Sequence, residues 1–335
     1  MPRGKKTPLH PEGYHGRGRR PPYFEGWYFK VVDPAEKHRF AIIPGISLST
    51  GEEGPHSFVQ VLDGTSGRTV YQRYPVEAFT ASERWLEIDV GPNHFSAAGM
   101  SLNLTDTELS ISGTVTFDEL RPWPVTVASP GIMGWYAWVP RMETYHGVVS
   151  LDHGLGGSLT IGDQTVSFSG GRGYIEKDWG QSFPSGWVWM QSNHFGTPGV
   201  CLTASIAMIP WIGHSFPGFI VGLYREGTLY RFATYTGAVT RHLAITENEV
   251  EWVIEDSLYR LDLVGRRAES GLLRGPSRVD MGRPVAETLS ASIDVELRAR
   301  RSDTLIYRGT GSYAGMEVVG KVDDLLTAAG KAGGS

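Results

Sequence analysis

Residues 174–193, YIEKDWGQSFPSGWVWMQSN, gather two carboxylates, a lysine, three indoles and three amides in one short stretch. On a β-strand successive side chains point to opposite faces. In YIEKDWG, Tyr174, Glu176 and Asp178 therefore share one face, and Ile175, Lys177 and Trp179 share the other. In WVWMQSN the same alternation lines up Trp187, Trp189, Gln191 and Asn193, apolar at one end and hydrogen-bonding at the other. A carboxyl group walled by apolar side chains resists ionisation and can donate a proton near neutral pH. Aromatic faces nearby stabilise a cation so formed by about 0.5–2 kcal/mol per contact. Acid and aromatic wall together are the equipment for protonating an alkene. Glu176 and Asp178 are the first candidate acids. Glu25, which shares a face with Trp27 and Phe29 in FEGWYFKV, is the reserve. Trp27, Tyr28, Trp179, Trp187 and Trp189 are the candidate wall, with Gln191 and Asn193 to orient a polar head. Lys177, on the opposite face from both acids, is expected to matter less.

Other chemistries find no support. The ten histidines form no HExxH or HxH pattern, and Cys201 is the only cysteine, so no metal-ligand spacing exists. There is no GxSxG elbow, and GGRGY at 170–174 leads into no helix, which makes it a poor phosphate loop. No metal and no cofactor are expected. A net charge of -5 gives no reason to expect nucleic acid. The lone cysteine fits a reducing compartment, the first twenty residues carry no apolar signal core, and no run of about 18 apolar residues occurs. A cytoplasmic location is the expectation. Arg3, Lys5, Lys6, Arg17, Arg19 and Arg20 are opposed only by Glu12. Residues 1–20 therefore read as a basic, mobile tail, with weak attraction to anionic lipid headgroups as the sharper alternative.

The elements that must position these residues are strands. FEGWYFKV, FAIIPGISL, SFVQVLDG, RWLEIDVG, SLNLTD, LSISGTVTF, GSLTIGD and TVSFSGG are short, bounded and mostly alternating. WVWMQSNHF, VCLTASIAM, FIVGLY, TLYRFATY, EVEWVIED, LYRLDLVG, SASIDVELRA, LIYRGTG and MEVVGKV continue the style, and only DDLLTAAGKA reads as helix. The chain is all-β. A Gly-Trp strand followed by a second apolar strand occurs twice, in FEGWYFKV with FAIIPGISL and in SGWVWMQSNHF with VCLTASIAM, which implies two related units, 21–172 and 173–335. RPWPVTVASPGIMGWYAWVP (121–140), with four prolines among three tryptophans, cannot be a regular central strand and reads as a covering loop. Seven of the ten tryptophans fall between residues 123 and 211, as in a wall for a large apolar ligand.

GYHGRGRRPPYFEGWYFKV near the start, GYIEKDWGQSFPSGWVWMQSNHF in the middle and GMEVVG near the end together resemble the tocopherol cyclase family. The resemblance implies a tandem pair of lipocalin-like antiparallel β-barrel or sandwich domains. It also implies a cofactor-free ring closure, in which the phenol of a prenylated benzoquinol adds across the first alkene of its isoprenoid tail to form a chromanol. The chain departs from the plant pattern at Asp178, Ser192 and His194, where Asn, Cys and an apolar residue are usual. The expected ligand is a hydrophobic small molecule with a polar aromatic head and an isoprenoid tail, and no obligate protein partner is evident. Isoprenoid alkene hydratase and lipid carrier are the alternatives.

Overall fold

The computed structural model describes residues 8–105, 109–211 and 213–333. Among the described residues the chain is all-β apart from three short 3₁₀ turns and the terminal helix Val322–Gly333. It divides into two compact units: one runs to Phe183 and includes Leu273–Pro284, and the other consists of Pro184–Leu272 and the chain from Val285 onward. The division falls at Phe183/Pro184 rather than near residue 173. The reason is that Arg172–Gly180 is a central strand of the first sheet, hydrogen-bonded on both sides.

Both sheets share one plan. In the first, Tyr23–Val32 lies between Arg39–Leu48 and Arg172–Gly180. His56–Asp63 and Thr69–Tyr74 extend one flank, while Thr144–Ile161, Ile111–Asp118, Gly99–Leu104 and three shorter strands extend the other. In the second, Gly186–Ser192 lies between Cys201–Trp211 and Leu305–Gly320. His214–Arg225 and Thr228–Ala233 follow on one side, and Arg283–Ala299, Tyr259–Arg266, Glu249–Glu255 and Val239–Ile245 on the other. A Gly-Trp strand at the centre, a consecutive meander on one side and a late strand returning on the other is the structural form of the sequence repeat.

Alternation explains each core. Trp27, Phe29 and Val31 point inward with Ile175, Phe95, Val115 and Leu159. In the second unit Val188 and Met190 point inward with Trp252, Leu263 and Met316. Each large side chain so enclosed contributes about 1.5–3 kcal/mol. The helix seats Leu325 in the second core and carries Asp323 and Asp324 in its first turn, where its dipole favours negative charge.

Three sequence expectations change. LIYRGTG and MEVVGKV form one strand, Leu305–Gly320, which passes through GSYAG with Tyr313 at φ 47°. Thr144–Ile161 is one 18-residue strand that begins before GSLTIGD and is broken by bulges around Ser150. The N-terminal segment is not a mobile tail from residue 8 onward. Pro11, Gly13, His15 and Gly16 are buried, Tyr14 N donates to Ser82 O at 2.7 Å, and a Cβ at Gly13 would collide with Glu83 O. Arg3, Lys5 and Lys6 lie outside the described residues.

His153 is enclosed at the bulge, with Nδ1 3.1 Å from Ser150 Oγ and its ring centroid 4.7 Å from that of Phe117. Burial pushes its pKa down from 6.5 to about 3. An unfolded histidine takes a proton below about pH 6.5 while the folded one resists it, so stability should fall by roughly 1.4 kcal/mol per pH unit as the pH drops from about 6.5 towards 3. His153→Asn cannot be protonated. It should remove about 2–3 kcal/mol of the difference in urea-unfolding free energy between pH 6.5 and pH 4.5. Parallel losses in both proteins would show that this imidazole does not set the acid limit.

Candidate functional site

The strand Arg172–Gly180 presents different chemistry on its two faces. On the inner face, Lys177 Nζ lies 2.5 Å from Glu25 Oε1, and both side chains are fully enclosed. The register places Glu25 opposite Trp179 and Trp27 opposite Lys177. Both carboxylate oxygens of Glu25 accept from the His15 backbone N–H, at 2.9 and 3.0 Å, and Oε2 also accepts from the Tyr23 hydroxyl. Lys177 donates to Gly13 O and stands 3.0 Å from His15 Nδ1. It lies 4.6 Å over the Trp27 ring and 4.7 Å over that of Trp179. His15, Trp179 and Tyr145 stack at 4.3 and 5.5 Å, and Trp27 Nε1 donates to Glu12 O at 2.8 Å. The GYHG motif is thus a strap that closes this pair from solvent.

Burial alone would raise the Glu25 carboxyl, but the Lys177 charge and the His15 contacts outweigh it and hold it at about 2. Lys177 is lowered by burial, and Glu25 draws it back. Burial and the neighbouring Glu25 push the Tyr23 hydroxyl well up. Glu25 is therefore a carboxylate at neutral pH and carries no proton to give.

The outer face holds the second group. His146, opposite Asp178 in the register, places Nδ1 3.0 Å from Asp178 Oδ1 and Nε2 3.6 Å from Glu176 Oε2. Tyr174 Oη donates to Glu176 Oε2 at 2.5 Å, and Tyr28 is the direct cross-strand partner of Glu176. Side-chain exposure falls from 27% at Asp178 to 14% at His146 and 7% at Glu176. Ligand atoms of His146, Glu176 and Asp178 lie within 4.8 Å of one another, a spacing that a cation could bridge. Sequence spacing showed no such set because two strands supply it. The ring, however, sits between the carboxylates with one nitrogen towards each. That is the geometry of a proton relay leading from a partly wet group to a buried one.

In the second unit, Trp187, Trp189, Gln191 and Asn193 are all buried. The alternation that sends Val188 and Met190 into the core puts Trp187, Trp189 and Gln191 on the opposite face. Trp187 Nε1 donates to Glu317 Oε2 at 2.5 Å, and Glu317 is the register partner of both Trp189 and Glu287. Asn193 Oδ1 is 2.9 Å from His194 Nδ1.

The sequence-derived candidates therefore separate. Glu176, Asp178 and Tyr28 come together, while Trp27 and Trp179 lie across the sheet with Glu25 and do not wall the same acids. Lys177, expected to matter less, is the centre of the inner group. Trp123 is buried, and Trp135 and Trp138 are half-exposed rather than gathered in a wall. His146, His15, Tyr174, Glu317 and Glu287 were not anticipated. His15 sits inside the GYHG motif, and Tyr174 shares the Glu176 face, so both left a signal. His146 left none, because TYHGVVS follows the Pro/Trp-rich crossing and was not read as strand.

A family model described as tocopherol cyclase-like matches residues 101–320, more than half of the chain. The chain belongs to that family. It is 23% identical over 383 residues to the "Probable tocopherol cyclase, chloroplastic" of Oryza sativa subsp. japonica, covering 95% of this chain and 79% of that one. The "Tocopherol cyclase, chloroplastic" of Zea mays is 23% identical over 386 residues, with 95% and 78% covered. Among solved structures, CghA with Sch210972 superposes with a TM-score of 0.56 at 10% identity, covering 90% of this chain and 89% of that one, a likeness of fold alone.

Removing Lys177 leaves a buried, unpaired carboxylate. Lys177→Met should cost about 3–5 kcal/mol in urea unfolding, and the double variant with Glu25→Gln should lose clearly less than the sum of the single losses. Folded Glu25 titrates near 2 and an unfolded glutamate near 4.5, so the pair's contribution is complete above about pH 4.5 and disappears as the pH falls towards 2. A Lys177→Met loss below about 1 kcal/mol would contradict this role.

Proposed function

We propose that this chain is a cofactor-free intramolecular cyclase of a prenylated benzoquinol, with Glu176 as the acid. The observation that carries the reading is the relay Asp178–His146–Glu176, braced by Tyr174 and graded from wet to buried. Glu176 gives its proton to the less substituted carbon of the first isoprenoid alkene, and the tertiary carbon becomes cationic. The phenol oxygen attacks that carbon, its O–H bond breaks, and the proton returns to the relay. One C–H and one C–O bond form, one O–H bond and the alkene π bond are lost, and the product is an isomer of the substrate. Tyr174, bonded to the acid, and Tyr28, its cross-strand partner, are the aromatic side chains beside it. Membership of the tocopherol cyclase-like family supports this substrate class.

Purified protein incubated with a prenylated benzoquinol should yield the chromanol by chromatography and mass spectrometry. Glu176→Gln keeps shape and deletes the acid, so turnover should fall by roughly 10²–10⁴-fold. His146→Asn should fall nearly as far, and Asp178→Asn by less, because it stands at the relay's solvent end. A tertiary alcohol as product would make the protein a hydratase, and unchanged bound quinol would make it a carrier. A folded Glu176→Gln with full turnover would end the acid assignment.

A further inference from the structure

We propose that the segment 121–141, together with the arginines of the N-terminal strap, is a docking surface for an anionic lipid bilayer. Ten large hydrophobic side chains are exposed among the described residues. Four of them, Val125, Val127, Trp135 and Trp138, fall within fourteen positions, with Val127 71% exposed and the two indoles 47% and 44%. Such a concentration on one segment marks a contact surface, whereas apolar residues scattered singly would not.

The segment is a braced platform. Val125 and Pro130 form an isolated bridge, Trp138 Nε1 donates to Val127 O at 2.9 Å, and Gly134–Trp138 is a 3₁₀ turn. Trp135 packs on Tyr136 with ring centroids 4.2 Å apart. Tyr145 Oη, donating to Val139 O at 2.7 Å, ties the end of the segment to its strand. The rings are thus held outward without a core to enter. Indoles with an apolar body and a polar edge settle at the headgroup level of a bilayer.

Charge selects the kind of surface. From Arg121 to Arg141 the sequence contains no acidic residue. The strap runs beside the segment, since a Cβ at Gly131 would stand 3.8 Å from Pro11 Cγ and Arg19 acts electrostatically on the Tyr145 hydroxyl. Arg17, Arg19, Arg20 and Arg141 are exposed. Arg17 pairs with Glu83 at 3.0 Å, whereas Arg19, Arg20 and Arg141 form no ion pair among the described residues. Exposed indoles and valines beside uncompensated guanidinium groups match a membrane that presents acyl chains under anionic headgroups. The platform also touches the relay strand: Met133 Sδ accepts from the His146 backbone N–H at 3.1 Å. Docking there would bring the relay beside the phase in which a prenyl lipid dissolves, although the surface itself does not depend on which reaction follows.

Co-sedimentation of the full chain with vesicles tests this. The wild type should bind vesicles of mixed phosphatidylcholine and phosphatidylglycerol, with affinity falling as salt is raised, and should bind pure phosphatidylcholine weakly. Trp135→Ser/Trp138→Ser should bind the anionic vesicles at least about tenfold more weakly, and lipids brominated on their acyl chains should quench wild-type tryptophan emission more than that of the variant. Arg19→Glu/Arg20→Glu should weaken binding to a similar extent and flatten its salt dependence. Leu258→Ser, at an exposed position in the second unit, should bind like the wild type. All variants remain testable for cyclisation with detergent-dispersed quinol, so a failed reaction and a failed docking surface are told apart. A wild type that ignores anionic vesicles, binds neutral ones equally, or loses nothing in the paired tryptophan variant overturns the proposal.

Discussion

The enclosed ion pair between Lys177 and Glu25 constrains everything around it. Two charges without access to water tolerate only one arrangement, with all their hydrogen-bonding capacity met. Gly13 O, the His15 backbone and the Tyr23 hydroxyl meet it here, and two indole faces enclose the ammonium. Because side chains alternate along a strand, a slip of one residue would expel Lys177 and turn Glu176 inward. The pair therefore fixes the register between Tyr23–Val32 and Arg172–Gly180. By doing so it fixes which carboxylates reach the outer face.

Structure and chemistry are thus divided between the two sides of one strand. The inner side spends a lysine, a glutamate and two tryptophans on position. The outer side carries the relay of Tyr174, Glu176, His146 and Asp178. Glu25 shows why the division matters: a carboxyl group beside a lysine is a permanent anion, useful for holding strands and useless as an acid. The strap that closes the inner side also lies against the segment carrying Trp135 and Trp138, so the parts that set the register adjoin those that meet the surroundings.

Much of this was legible in the sequence because it is local. Alternation within YIEKDWG sorted Glu176 and Asp178 from Lys177 and Trp179 correctly, and the repeated Gly-Trp strand anticipated two sheets of one plan. What was not legible is non-local. His146 meets Asp178 across 32 positions, from a strand whose bulges hide its alternation. Lys177 appeared secondary because its partners, Glu25 and Gly13, lie some 150 residues away. Tryptophan clustering in the sequence also misled: Trp27 enters its core, Trp187 turns from its own, and Trp135 and Trp138 face solvent. The motif repeats, but the face it presents does not.

The central claim is that a proton from solvent passes along the relay to the alkene. Running the reaction in D₂O and locating the label by mass spectrometry tests it most directly. The account predicts one deuterium per turnover, on the ring methylene carbon next to the newly formed C–O bond, because Asp178 is partly exposed and the relay exchanges with solvent before Glu176 delivers. A chromanol formed at full rate with no deuterium at that carbon would contradict it.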